Sequence, residues 1–172
     1  MSLKLKIITS STRPGRIGPI ISSWVAEQAT AHGKFEVEIL DLDTFGLPLL
    51  DEPNHPAMQS YTHEHTKAWS AAVNDADAFI FVTPEYNSFP PAAVVNALQA
   101  LVLEWERKPA GVVSYGGISG GLRSAQELRM LLANMNIMPL KQVVPMPMVF
   151  GDIKEDGKLS PNSEVGKGTA GM

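Results

Sequence analysis

Short apolar runs rich in β-branched residues alternate along this chain with stretches whose apolar positions recur every three or four residues. The strand-like runs are Lys4–Thr9, Phe35–Leu42, Ala78–Thr83, Ala110–Tyr115 and Met138–Val144. The helix-like stretches between them are Ile17–Thr30, Thr66–Asp75, Pro91–Glu106 and Leu122–Asn134. Strict alternation of this kind leaves one economical arrangement: a parallel sheet with right-handed crossovers and helices on both faces. Phe35–Leu42 alternates with period two and reads as an outer strand with one wet face. Ala78–Thr83 is continuously apolar and reads as a strand covered on both sides. Asp43 to about Tyr61 is irregular and rich in proline and acids, and no apolar period returns after Pro145. At 172 residues the chain suits one domain. We place that domain over residues 1–150, with 151–172 as a C-terminal tail that is surface-packed or frayed.

Ligands of such sheets bind beyond the carboxyl ends of the strands, where the strand order reverses. Three loops that leave strand ends here carry unusual chemistry. Ser10–Gly18 (SSTRPGRIG) sets three hydroxyls and two arginines ahead of a helix N-terminus, a donor set that suits phosphate. It lacks the P-loop spacing, and its bland reading is a helix start with surface arginines. Thr83–Pro91 (TPEYNSFPP) is stiffened by proline and offers Tyr86 and Phe89 as aromatic surface, with Asn87 as an amide partner. It suits the edge of a planar ligand, or else it merely roofs the core. Ser114–Gly121 (SYGGISGG) presents bare backbone to which a ligand can approach closely, against the alternative of a flexible connection. Arg123 and Arg129 on the following helix read as surface or subunit-contact residues.

Composition removes several other classes. The chain has no cysteine, so disulfides, thiolate nucleophiles, iron–sulfur clusters and cysteine-bound zinc are excluded. Its net charge of −4 gives no reason to expect nucleic acid or an anionic membrane as partner. The apolar runs are far shorter than a membrane span, and the N-terminus carries no secretory pattern, so a cytoplasmic location is expected. His55, His63 and His65 lie close in sequence, but their spacing completes no known metal site. The tryptophans fall at core or flank positions and receive no redox role.

Taken in order and spacing, the three loops resemble the NAD(P)H-dependent FMN reductase family of flavodoxin-like proteins, from about Ile7 to Val149. Ser11–Arg16 is similar to that family's phosphate loop, Thr83–Asn87 with Pro91 and Asn96–Leu98 to its isoalloxazine loop, and Tyr115–Gly121 with Arg123 to its second flavin-facing loop. Asp41-Leu42 and Leu47-Pro48-Leu49 also fit. Ser10 stands where glycine is common, and Arg16 where many relatives carry serine. The resemblance implies a flavodoxin-like three-layer α/β sandwich with a five-stranded parallel sheet in the order 2-1-3-4-5. It implies that Ser11, Arg13 and Arg16, with the Ile17 and Gly18 amides, hold the FMN phosphate. Pro84, Glu85, Tyr86 and Asn87 then line the isoalloxazine, and Ser114, Tyr115, Gly116 and Gly117 border its pyrimidine side.

The implied activity is an oxidoreductase that passes hydride from NADPH or NADH through FMN N5 to a small acceptor by a ping-pong mechanism. Quinone, flavin, azo compound and metal oxyanion all fit as acceptors. No protein acid/base residue is assigned, in keeping with the absence of a visible dyad. A homodimer or homotetramer is implied, with the apolar Phe45–Leu50 segment either folded on its own core or packed on a neighbouring subunit. The competing readings are a flavodoxin-like electron carrier, a phosphate-ester hydrolase using the first loop, and a non-catalytic FMN-binding protein.

Overall fold

The computed structural model describes residues 2–161. Its strands are β1 (Leu3–Thr9), β2 (Phe35–Asp41), β3 (Ala78–Pro84), β4 (Pro109–Gly116) and β5 (Met138–Pro147). Its helices are α1 (Gly18–Ala31), α2 (Leu42–Phe45), α3 (Glu64–Asn74), α4 (Ala92–Gln99) and α5 (Leu122–Asn134). All strand pairs are parallel and the order is β2-β1-β3-β4-β5, the order expected. The chain leaves β1 toward β2 on one side and returns to β3 on the other. The crevice at the carboxyl ends of β1 and β3 is therefore the switch point.

Alternation along the central strands divides the apolar interior in two. Ile8, Phe81 and Val112 face α3, α4 and α5 and pack with Trp69, Leu98, Trp105 and Leu128. Ile7, Val82 and Val113 face α1 and pack with Ile21, Trp24 and Val25, together with Val149 and Leu159 from beyond β5. The chain after the last strand thus helps cover the α1 face, and Ile153 bridges to Leu159. The rest of the expected tail, from residue 162, lies outside the described residues.

One helix is shorter than its sequence pattern predicts. The apolar run Pro91–Glu106 reads as continuous, yet α4 stops at Gln99 and a 3-10 turn follows at Leu103–Trp105. Two indoles satisfy carbonyls at that helix end: Trp69 Nε1 donates to Ala97 O (2.8 Å) and Trp105 Nε1 to Leu98 O (3.1 Å). Both rings are fully buried, and truncating such a side chain to alanine costs about 3–5 kcal/mol. The irregular segment after β2 is tied down in a way that sequence did not signal. Tyr61 Oη and Ser70 Oγ both donate to the buried Glu104 carboxylate (2.8 and 2.6 Å). β5 also runs three residues past the expected end, through Pro145 and Pro147. Prolines are tolerated there because β5 pairs only with β4, leaving one edge without ladder donors to satisfy.

Candidate functional site

The first loop begins as a continuation of β1, with Ser10 N donating to Val82 O (3.0 Å). Ser10 and Ser11 are fully buried, and the chain then turns outward, Arg16 N closing on Arg13 O (3.1 Å). At the start of α1 the N-cap Ile17 has no side-chain acceptor to offer, so the helix opens toward the loop uncapped. Gly18 is required by space. A Cβ there would lie 2.8 Å from Ser11 Oγ and 3.0 Å from the Tyr115 hydroxyl. Helix, loop and β4 therefore meet at van der Waals distance.

The two arginines of this loop have different surroundings. Arg13 is exposed, with its guanidinium carbon 6.0 Å from the centre of the Tyr86 ring, a cation–π contact that joins the first loop to the second. Arg16 is 14% exposed and engaged on both Nη groups. Nη1 donates to Asp41 Oδ1 (2.6 Å) and Ser11 O (2.5 Å), and Nη2 to Asp41 Oδ2 (2.9 Å) and Asp43 Oδ2 (3.2 Å). The phosphate role expected of Arg16 thus competes with a bidentate carboxylate partner that the sequence reading did not assign. The pairing with Asp41 holds the guanidinium pKa above its ordinary value.

The second loop is a tight hairpin. Tyr86 N and Phe89 N each donate to the other's carbonyl (2.9 and 3.0 Å), and Asn87 and Ser88 both adopt positive φ, +50° and +67°. Two left-handed residues are the signature of a type I′ turn, which asparagine enters more readily than most residues. Glu85 is directed away from this turn. Its carboxylate accepts from Arg123 Nη1 (2.9 Å), Arg123 N (3.1 Å) and Ser119 Oγ (3.2 Å), which staples the second loop to the third. Burial alone would raise the Glu85 pKa, but these donors outweigh it and hold the carboxyl below its ordinary value. Arg123 is therefore a loop fastener, a role that spacing did not reveal.

In the third loop Gly121 has φ +80°, and a Cβ there would stand 2.7 Å from Tyr115 N. Ser114 Oγ donates to Gly120 O (2.9 Å), so this buried hydroxyl serves the shape of the loop. Burial pushes the Tyr115 phenol up to about 12, which leaves it protonated at neutral pH, 3.4 Å from Ser11 Oγ.

These pieces enclose a cleft of about 60 Å³. It brings together Arg13, Arg16, Ile17, Pro84, Glu85, Tyr86, Tyr115 and Gly116. Ser11, Gly18 and Ser114 are buried, while Asn87 and Gly117 are exposed. Phe150 completes the lining and was absent from the sequence-based set. It lies past the last predicted strand and reaches the cleft because Met148 N is held by Gly116 O (3.0 Å) and Gly117 O (3.1 Å). A lining of aromatic rings and one available cation suits a planar group carrying an anionic tail. Ser10 Oγ adds to the fit: it is a buried hydroxyl at the root of the first loop with no hydrogen-bond partner among the described residues.

The histidine cluster has no comparable geometry. The His63 and His65 rings stack at 5.2 Å beside Asp51, and among the described residues no group of three or more metal-ligating side chains is positioned to hold an ion. Among them, too, no helix is long and apolar enough to cross a membrane.

Comparison with known proteins points the same way as the cleft. The sequence profile of the family described as NADPH-dependent FMN reductase matches residues 3–150. An NAD(P)H-dependent FMN reductase of Schizosaccharomyces pombe is 40% identical over 148 residues, spanning 84% of this chain and 74% of its own. One from Nectria sp is 35% identical over 179 residues, spanning 98% and 89%. In three dimensions the chain is similar to FerB, a flavoenzyme NAD(P)H:(acceptor) oxidoreductase of Paracoccus denitrificans. The TM-score is 0.76 at 19% identity, covering 98% of this chain and 92% of that one, a likeness of fold.

Proposed function

The chain belongs to the NADPH-dependent FMN reductase family, and from that membership and the cleft we propose how it performs an NAD(P)H-dependent, FMN-requiring oxidoreduction. The observation that carries the proposal is the meeting of a donor-rich strand–helix loop with Tyr86 and Tyr115 in one cleft at the switch point. When bound by the three loops, FMN would supply the hydride- and electron-transfer chemistry.

The protein's part is placement. In our reading Ser11 and the amides of Ile17 and Gly18 position the phosphate, and Arg13 supplies charge once it leaves the Tyr86 ring. Arg16 belongs to the same loop. Pro84, Glu85, Tyr86 and Asn87 hold the ring from the second loop, with Glu85 acting through backbone because its carboxylate is bound to Arg123. Tyr115, Gly116 and Gly117 border the pyrimidine side, over Ser114. This placement would leave one ring face open, and no side chain would be asked to move a proton.

An open face serving both donor and acceptor implies alternation, the basis for the ping-pong mechanism. It sets no strong chemical filter, so a quinone, free flavin, azo compound or metal oxyanion fits as acceptor. Initial rates at varied NADPH and quinone should give parallel double-reciprocal lines, whereas intersecting lines would place the two substrates at separate sites. We further propose a cytoplasmic homodimer or homotetramer. Dependence on a reduced nicotinamide nucleotide supports the location. The exposed Leu49 (79%) and Leu50 (47%) beside α4 support the assembly.

A further inference from the structure

Arg16, expected at the phosphate, is largely buried and turned onto Asp41 of β2. We propose that Arg16 and Asp41 form a buckle that sets the shape of the phosphate loop, with Asp41 a positioning residue that acts on FMN without touching it. The inference rests on the proposed FMN site and adds to it the residue that shapes the phosphate end.

Four hydrogen bonds carry the proposal. Arg16 grips both oxygens of Asp41 in a bidentate fork (2.6 and 2.9 Å), a geometry that fixes direction as well as distance. The same Nη1 donates to Ser11 O (2.5 Å) and so pulls on the backbone of the loop itself. Nη2 also reaches Asp43 (3.2 Å). Asp41 is a firm anchor because it ends β2 opposite Thr9 of β1, in register with the strand that feeds the loop. It also accepts from Asp43 N (3.1 Å), capping α2. The buckle therefore spans loop, sheet edge and helix start, with Arg16 14% and Asp41 20% exposed.

Charge supports the same division of labour. With two carboxylates against it, the Arg16 guanidinium presents no net positive charge to a dianion. Arg13, which has no carboxylate within salt-bridge distance among the described residues, is the available cation. If Arg16 were itself the phosphate ligand, Asp41 would be a competitor and its removal would help FMN. If Arg16 shapes the loop, removal of Asp41 harms FMN. The two roles predict opposite signs.

The test uses Asp41→Asn, which keeps a cap for α2 and most of the volume but loses the two-oxygen fork. FMN and riboflavin are titrated separately into apoprotein of the wild type, Asp41→Asn, Arg16→Met and the double variant. Flavin fluorescence is the readout and apoprotein thermal melting the control. We expect each single variant to bind FMN about tenfold more weakly, because a loop no longer held in shape must be ordered when the phosphate binds. Riboflavin, which lacks the phosphate, should keep its affinity within about twofold. The double variant should be no worse than the poorer single one, because the two residues act as a unit. Unchanged or tighter FMN binding in Asp41→Asn, additive losses, or an equal loss for riboflavin would each overturn the buckle. A wild-type protein that binds neither flavin would instead overturn the FMN assignment beneath it.

Discussion

Arg13 and Arg16 are three residues apart and chemically identical, yet the fold assigns them different tasks. Arg13 has the Tyr86 ring as its neighbour, while Arg16 has two carboxylates. A charge-assisted hydrogen bond from Arg13 to phosphate is worth about 1.5–3 kcal/mol, or roughly one to two decades of affinity. Arg13→Ala should weaken FMN binding by that factor and leave the apoprotein melt unchanged, since an exposed loop arginine adds little to the core. Arg13→Lys should recover only part, because an ammonium keeps the charge but not the fork. Titration of the three apoproteins at fixed salt checks this; an unaltered affinity in Arg13→Ala would move the phosphate elsewhere. The residue types of the first loop were legible in the sequence because hydroxyls, arginines and glycine before a helix form a recognisable donor set. The partners were not. Asp41 lies on another strand, and its distance from Arg16 is set by the register of β1 and β2, which no local pattern encodes.

Loops that hold a flat ligand must keep their spacing, and here the second and third are joined through Glu85. Because the native carboxyl sits below its ordinary pKa, the staple's contribution is fully present above the unfolded value near 4.3 and is lost as pH falls through the lower native value. Glu85→Gln should destabilise the protein by about 1–2 kcal/mol at pH 7, and the gap from wild type should narrow as pH falls below about 4.3. Denaturant unfolding at several pH values reads this, and a gap that does not vary with pH would mean that the carboxylate charge is irrelevant. Element existence and order were legible because period-two and period-3.6 patterns are local. The early stop of α4 was not, since the carbonyls at its end are satisfied by indoles from α3 and from the turn after α4. Nor was the hairpin at Tyr86–Phe89: Asn87-Ser88 lacks the glycine that usually announces such a turn. Phe150 escaped for a related reason, as its approach to the cleft follows from β5 outrunning its apolar stretch.

At the scale of the whole molecule, the cleft of about 60 Å³ opens at the carboxyl edge of the sheet. That openness suits alternating substrates. It also leaves apolar surface to cover, including Leu49, Leu50 and Phe89, and Asn96 pins this segment to α4 through Leu50 N (3.0 Å) and Pro48 O (2.7 Å). Phe45 and Leu47 pack on the chain's own core, the first of the two roles considered for the Phe45–Leu50 segment, while Leu49 and Leu50 are exposed. Light scattering at micromolar concentration should report a dimer or tetramer; a monomer mass would remove the subunit contact from the account. The fold was legible at this scale because the family resemblance implies the strand order, whereas assembly depends on surfaces that no periodicity describes. We propose that these loops present FMN to a nicotinamide nucleotide for reaction. Anaerobic rapid mixing of FMN-loaded protein with NADPH or NADH, followed at the flavin absorbance near 450 nm, tests it most directly. The account predicts loss of that band within seconds and its return on adding a quinone; a band that persists with both nucleotides would leave a flavin-binding protein without reductase activity.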